Sequence, residues 1–262
     1  MRKADGRQAV SPPSVGHRHA RARRWLGLGL DLVFPPDCAC CHDSIEPGLF
    51  APVCPACRAA LVELRPGCPR CGALLPPNDD PKKCPRCRDR RFHFDRVARL
   101  GTYQGTLRSA VLRMKRPNQR ALATALGDLL AESAGSTLAA LEPDVVVPVP
   151  MHWTRKMWRG VNSPDAIAQR LAGSLGAPVR PNLLVRCRRT APQASLSPSR
   201  RRANVRGAFR ASKHSDLSGA RILLVDDIMT SGATVDEAAK VLSKAGARFV
   251  AVAVLARAEG LV

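Results

Sequence analysis

The sequence predicts an α/β protein in which a parallel sheet carries helices on both faces and a small cysteine-rich module precedes it. Three observations lead there. From about residue 95 onward, short β-branched runs alternate with segments whose apolar residues recur at helical spacing, the rhythm of strand–helix–strand folds. Between residues 38 and 87 the chain carries four Cys-x-x-Cys pairs. At residues 221–234 an apolar run, Ile222-Leu223-Leu224-Val225, stops at two carboxylates, Asp226 and Asp227, and a turn of Thr230, Ser231, Gly232, Ala233 and Thr234 follows.

Composition bounds the function. A chain of 262 residues with 45% hydrophobic content can bury one ordinary core and a small attachment. With 42 Lys and Arg against 21 Asp and Glu the formal charge is +21 and the pI about 10.9, which points to nucleic acid, acidic lipid or phosphorylated ligands without choosing among them. No apolar run reaches the roughly 18 residues of a membrane span. The run Trp25-Leu26-Gly27-Leu28-Gly29-Leu30 meets Asp31 and has no small-residue cleavage site. Stable membrane insertion is therefore not expected, and the expected location is the cytoplasm.

Three segments follow in order: a basic tail with a short helix at 1–33, a cysteine module at 34–94 and an α/β domain at 95–262. The first 24 residues hold seven Lys or Arg and one Asp with no apolar period, the pattern of a disordered tail. A short amphipathic helical turn before Pro35 ends at the proline pair. In the cysteine module the pairs are Cys38/Cys41, Cys54/Cys57, Cys68/Cys71 and Cys84/Cys87; both inner gaps are 12 residues and the whole unit repeats at a shift of 30. Two Cys-x-x-Cys turns facing each other supply the four thiolates that a structural zinc ion takes in a tetrahedron. Two repeats thus predict two Zn2+ sites, Cys38/Cys41/Cys54/Cys57 and Cys68/Cys71/Cys84/Cys87, with interleaved pairing left open. A disulfide framework is the alternative, and it needs an oxidising compartment that nothing in the chain indicates. Cys40, His42 and Cys187 are left over. Lys82, Lys83, Arg86, Arg88, Arg90 and Arg91 make a basic surface, followed by Phe92 and Phe94, which either stack bases or pack on the next domain.

Beyond the ribbons, residues 97–103 read as a strand, 107–114 and 121–132 as helices, and Asp144-Val145-Val146-Val147-Pro148-Val149-Pro150 as a buried strand leaving the sheet at its prolines. Ser163-Pro164-Asp165 reads as a helix start with Ser163 as N-cap. Residues 183–185, 222–225 and 249–255 complete the strands. Ligands of such sheets bind at the carboxyl ends of the strands, where Pro148-Val149-Pro150 and Asp226-Asp227 both fall. Between Asp165 and Asp216 no acidic residue occurs, while Arg186, Arg188, Arg189, Arg200, Arg201, Arg202, Arg206, Arg210 and Lys213 accumulate. That uncompensated charge, just before the strand at 222–225, favours an anionic partner. The stretch 190–198 lacks any period and reads as a mobile loop.

The turn after Asp227 places backbone N–H groups and small hydroxyls at a helix N-terminus, which favours a phosphate. The two carboxylates would repel a bare phosphate, so the ligand must also offer hydroxyls or a divalent cation. A sugar phosphate offers both. The run Val225-Asp226-Asp227-Ile228-Met229-Thr230-Ser231-Gly232-Ala233-Thr234 resembles the phosphoribosyl pyrophosphate (PRPP) loop of type I phosphoribosyltransferases. That resemblance implies a type I phosphoribosyltransferase-like sheet, with Asp226 and Asp227 as the catalytic pair that contacts the ribose hydroxyls and Thr230, Ser231, Gly232, Ala233 and Thr234 holding the 5-phosphate.

More of the chain matches one family. Phe34-Pro35-Pro36, Met114-Lys115, Val147-Pro148-Val149-Pro150, Arg159-Gly160-Val161-Asn162, Thr190, Gln193, Leu196, Arg201-Arg202 and Asn204-Val205-Arg206-Gly207-Ala208-Phe209 resemble the ComF family of competence-associated, phosphoribosyltransferase-fold proteins. Val161 and Ser163 beside Asn162, and Arg116-Pro117 after Lys115, depart from that pattern. The resemblance implies PRPP as ligand, bound with Mg2+, and Lys115 and Arg159 as the groups facing its pyrophosphate. It also implies a role in natural transformation, handling incoming single-stranded DNA beside other competence proteins. A nucleotide-salvage phosphoribosyltransferase, or a zinc-ribbon nucleic-acid-binding protein with a vestigial site, are the alternatives.

Overall fold

A computed structural model describes residues 37–45, 52–76, 80, 83–88, 90–151, 162–191, 193, 196–212 and 216–259. The expected tail at 1–33 and Arg159 lie outside them. Along the described chain the elements are α1 (Pro55–Leu61), α2 (Pro85–Arg88), β1 (Arg96–Thr102), α3 (Gly105–Met114), α4 (Arg120–Ala139), β2 (Val145–Pro148), α5 (Ser163–Leu175), β3 (Leu184–Arg186), α6 (Pro198–Val205), β4 (Phe209–Ala211), β5 (Arg221–Met229), α7 (Ala233–Lys244) and β6 (Phe249–Arg257). Two compact units divide between Cys54 and Pro55.

In the second unit β1, β6, β5 and β2 form one parallel sheet in that order. Side chains alternate across it. Val97, Val145, Val147, Ile222, Leu224, Val250, Val252 and Val254 share one buried cluster with Val235, Ala238, Ala239 and Leu242 of α7. The other face presents Leu100, Val146, Leu223, Val225, Ala251 and Ala253, all buried, and α4 and α5 pack there on each other and on the strands. Helices on both faces explain why β6 is buried from Val250 to Arg257 and reads as an unbroken apolar run. Leu242 is fully buried, so truncating it to Ala should cost about 2–5 kcal/mol.

Three differences from the expected elements have physical causes. The strand at 184–186 pairs antiparallel with β4, as Leu184↔Ala211 and Arg186↔Phe209, and forms its own two-stranded sheet. Its three residues are too few to signal a direction. Helix α4 continues seven residues past Glu132, because Ala134 and Leu138 keep the buried stripe going. Asn162, not Ser163, caps α5: its backbone is extended (φ −90, ψ 109), while Ser163 is already helical and buried. The Asn162 amide donates to the Asp165 carboxylate at 2.7 Å.

The 30-residue repeat is visible in backbone detail. In the first unit Asp37 bridges Ser44, the Cys38 amide donates to the Asp43 carbonyl at 2.8 Å, and His42 turns back to Cys38. In the second unit Gly67 bridges Leu74, Cys68 donates to Ala73 at 2.7 Å, and Gly72 turns back to Cys68. His42 at φ 68 and Gly72 at φ 69 occupy the same left-handed position. The leftover histidine is thus a turn residue, and its ring is exposed.

The second cysteine repeat is built into the sheet. Val97 donates to the Pro69 carbonyl at 2.9 Å, Leu74 to the Glu259 carboxylate at 2.9 Å, and Arg86 pairs with Glu259 at 3.0 Å. Phe92 and Phe94 stack at 4.7 Å between centroids, and Phe94 is only 2% exposed in the sheet cluster. A ring so enclosed cannot stack a base, so packing is the alternative realised. Among the described residues no helix is long and apolar enough to cross a membrane.

Candidate functional site

The site begins where β2 leaves the sheet. Its register with β5 ends at Pro148↔Val225, and the last bond runs from the Val149 amide to the Val225 carbonyl at 2.8 Å. Pro150 has no amide to continue. β5 does not stop there: it goes on through Asp226 and Asp227 to Met229, held by β6 alone as Asp226↔Val254 and Met229↔Arg257. The two carboxylates therefore lie within the strand rather than just past its end, the position read from the sequence, and they flank a crevice on the side β2 has vacated.

A cavity of about 400 Å³ occupies that crevice. Asp226, Asp227, Thr230, Ser231, Gly232, Ala233 and Thr234 line it, together with Lys115 from the end of α3, Arg186 of β3 and Gln193. Eight of the nine residues expected to hold PRPP thus share one cavity; Arg159 is outside the described residues. Lys115 Nζ sits 2.9 Å from the Asp227 carboxylate. The Asp227 amide donates to Asp226 Oδ1 at 2.9 Å. Asp226 keeps part of its surface open, but its carboxyl is enclosed; burial first, then repulsion from Asp227, pushes it up to about 7 despite the lowering by that amide, Lys115 and Arg186.

The geometry of the turn follows from Gly232. It caps α7 at φ 79, a left-handed conformation, and a Cβ there would come within 2.9 Å of the Met229 methyl. The Ala233 amide turns onto Ser231 Oγ at 3.4 Å. First-turn amides of a helix lack intrahelical carbonyls, so the start of α7 offers donors and a positive dipole end to an anion.

The charge of the 190–206 stretch suggests a nearby anion, but the sequence assigns none of its residues to the site. Gln193 donates to Thr234 Oγ1 at 3.2 Å and accepts from Asn204 at 3.2 Å, while Asn204 exchanges two further bonds with Ala191. Arg201 donates to the Gln193 and Leu196 carbonyls at 3.0 Å, and Arg188 to those of Asn204 and Arg206. Arg186 bonds Thr190 and lies 5.3 Å from the Phe209 ring centroid. The described part of this stretch is therefore tied down by side chain–backbone bonds, which carry no periodicity. Arg200, Arg202 and Arg206 remain exposed.

Both cysteine sets gather as the uninterleaved pairing requires. The sulfurs of Cys38, Cys41 and Cys54 in the first unit, and those of Cys68, Cys71, Cys84 and Cys87 in the second, each lie within 4.8 Å of one another; Cys57, the fourth ligand expected of the first set, belongs to the second unit. None of the ten cysteines forms a disulfide. A zinc tetrahedron with bonds of about 2.3 Å has an edge of about 3.8 Å; Cys41 and Cys54 are 3.7 Å apart, and Cys68–Cys87 and Cys71–Cys84 are each 3.8 Å apart. The donor sets fit zinc. Burial raises the Cys38 thiol, yet the amides of Cys41, Cys54 and Cys40 outweigh it and bring it down to about 6, favouring the thiolate that a metal needs.

Known proteins match in the same two parts. Residues 118–260 match the phosphoribosyl transferase domain family and residues 29–90 the double zinc ribbon domain. The DNA utilization protein YhgH of Salmonella typhi is 33% identical over 209 residues, covering 78% of this chain and 90% of that protein. Competence protein F of Haemophilus influenzae is 31% identical over 210 residues, covering 79% and 90%. Among solved structures, the glutamine PRPP amidotransferase of B. subtilis aligns at 26% identity with a TM-score of 0.34 over 51% of this chain, which spans 26% of that enzyme.

Proposed function

Because the chain belongs to the ComF family, as its likeness to competence protein F and its own double zinc ribbon and phosphoribosyl transferase domain matches show, we propose that its cavity binds PRPP with Mg2+. The observation that carries this reading is the meeting of two carboxylates and a left-handed, glycine-capped helix start in one cavity of about 400 Å³. The amides of the turn and the hydroxyls of Thr230, Ser231 and Thr234 receive the 5-phosphate. Asp226 and Asp227 accept from the ribose hydroxyls. Lys115, held by Asp227, stands where the pyrophosphate adds negative charge, and Arg159 is the second cation in that role. Asp226 and Asp227 would hold the magnesium ion, which would offset phosphate charge.

The physiological reading is a cytoplasmic protein of DNA uptake that handles single-stranded DNA beside other competence proteins. The names of its relatives and the formal charge of +21 support it. Exposed Arg200, Arg202 and Arg206 provide phosphate contacts close to the cavity wall. Titrating the protein with PRPP in the presence and absence of magnesium, then measuring pyrophosphate release with each common nucleobase, tests the reading. Magnesium-dependent binding is expected. Absence of binding at millimolar PRPP overturns it, and efficient release with one base would replace it by a salvage enzyme.

A further inference from the structure

Arg257, the last residue of β6, is 4% exposed and its guanidinium meets backbone carbonyls on two sides. Nε donates to the carbonyl of Cys71, a member of the second cysteine set, at 2.9 Å. Nη1 donates to the carbonyls of Met229, at 3.1 Å, and of Thr230. These two residues open the phosphate turn. A trans peptide is planar, with its N–H antiparallel to its C=O, so fixing the Thr230 carbonyl aims the Ser231 amide away from Arg257; Ser231 lines the cavity. The loop's donor direction is thus set by a guanidinium that also holds a cysteine-module carbonyl and, through Nη1, the carbonyl of Ala258.

Independent contacts join the same two parts. The His93 amide donates to Asp236, in the first turn of α7, at 2.7 Å. Phe92 and Phe94 approach within 3.6 and 3.9 Å of where a Cβ on Gly232 would lie. These three residues follow closely on Cys87.

We propose that Arg257 is a positioning residue that couples the second cysteine set to the phosphate loop, so that metal retention at Cys68, Cys71, Cys84 and Cys87 and ligand binding at the loop strengthen each other. The ligand limb rests on the PRPP reading above. Linkage makes the coupling reciprocal: the factor by which bound metal raises ligand affinity is the factor by which bound ligand raises metal affinity.

The test follows zinc release from the zinc-loaded full chain to a chromogenic chelator, with and without saturating Mg2+ and PRPP. The second-site phase is identified as the one missing in Cys87→Ser. In the parent, PRPP should slow that phase about tenfold, within the usual range of coupling between sites. In Arg257→Gln the protection should fall below about twofold, with the first-site phase unchanged. Arg257→Lys keeps the charge but has one donor centre that cannot reach carbonyls on both sides; it should lose the protection too, and it serves if Arg257→Gln does not fold. A merely structural arginine would change rates without changing the effect of ligand. Equal protection in parent and variants, or PRPP bound by direct titration with neither phase altered, overturns the coupling. If titration shows that the parent does not bind PRPP, the ligand reading fails separately. The brace is then judged without ligand by comparing the two phases: faster second-site release with the first-site phase unchanged in both variants supports it, and both phases altered alike, or neither altered, overturns it.

Discussion

Replacing Asp226 with Asn should stabilise the protein while removing ligand binding. Asn keeps an oxygen to accept the Asp227 amide and leaves the Lys115–Asp227 pair intact, so it removes only the buried charge. Burial and Asp227 raise Asp226 from 3.8 to about 7. Because the folded value lies above the unfolded one, the stability this group contributes is complete below about pH 3.8 and is lost as pH rises through about 7. The ceiling on the loss is roughly 4 kcal/mol at about 1.4 kcal/mol per pH unit, and the open side of the cavity reduces it to about 1–2 kcal/mol. For a unit of about 200 residues that is a rise in Tm of roughly 2–8 °C. Thermal unfolding followed by circular dichroism across this pH range reads it directly. The Asn variant should match the parent at the acid end, diverge upward toward neutrality and then run parallel. A variant whose Tm follows the parent at every pH, or falls below it near neutrality, would refute the idea of a buried, repelled carboxylate held ready for a ligand.

Other consequences are as direct. Protein purified without added zinc should contain two zinc ions per chain, and a chelator should unfold the cysteine repeats; one ion or none with the fold intact would contradict the paired tetrahedra. Gly232→Ala should cost about 1–2 kcal/mol for the left-handed backbone and weaken PRPP binding by at least about tenfold in a titration, whereas unchanged affinity would show that the turn does not hold phosphate. Binding of single-stranded DNA should fall steeply with salt, and Arg200→Ala/Arg202→Ala/Arg206→Ala should flatten the log–log slope by roughly 2. Deletion of residues 1–24 is the control, and an unchanged slope in the triple variant would remove this surface from the DNA site. Arg201 is excluded from that set because it bonds the Gln193 and Leu196 carbonyls.

Much of the site was readable because it is written in contiguous residues. The Asp226-to-Thr234 run carries strand, turn and helix start in one stretch, and the cysteine spacing carries both ligand sets. What escaped was carried by tertiary pairing. β5 extends through two carboxylates because β6 supplies its hydrogen bonds, overriding the poor strand propensity of Asp. Asn204 and Gln193 act through single side-chain bonds, which leave no period for a sequence to show. Arg257 looks like an ordinary basic end to an apolar strand. Only the fold shows that it is buried between Cys71 and the phosphate turn.

On the reading proposed above, Asp226, Asp227 and the turn after them bind a ribose phosphate. Isothermal titration of the zinc-loaded full chain with PRPP, with and without magnesium, measures this most directly when repeated on Asp226→Asn/Asp227→Asn. The expected result is one ligand per chain, dependence on magnesium, and a loss of at least about a hundredfold in the folded double variant, corresponding to a few kcal/mol of charge-assisted contacts. Equal binding by parent and double variant would contradict it.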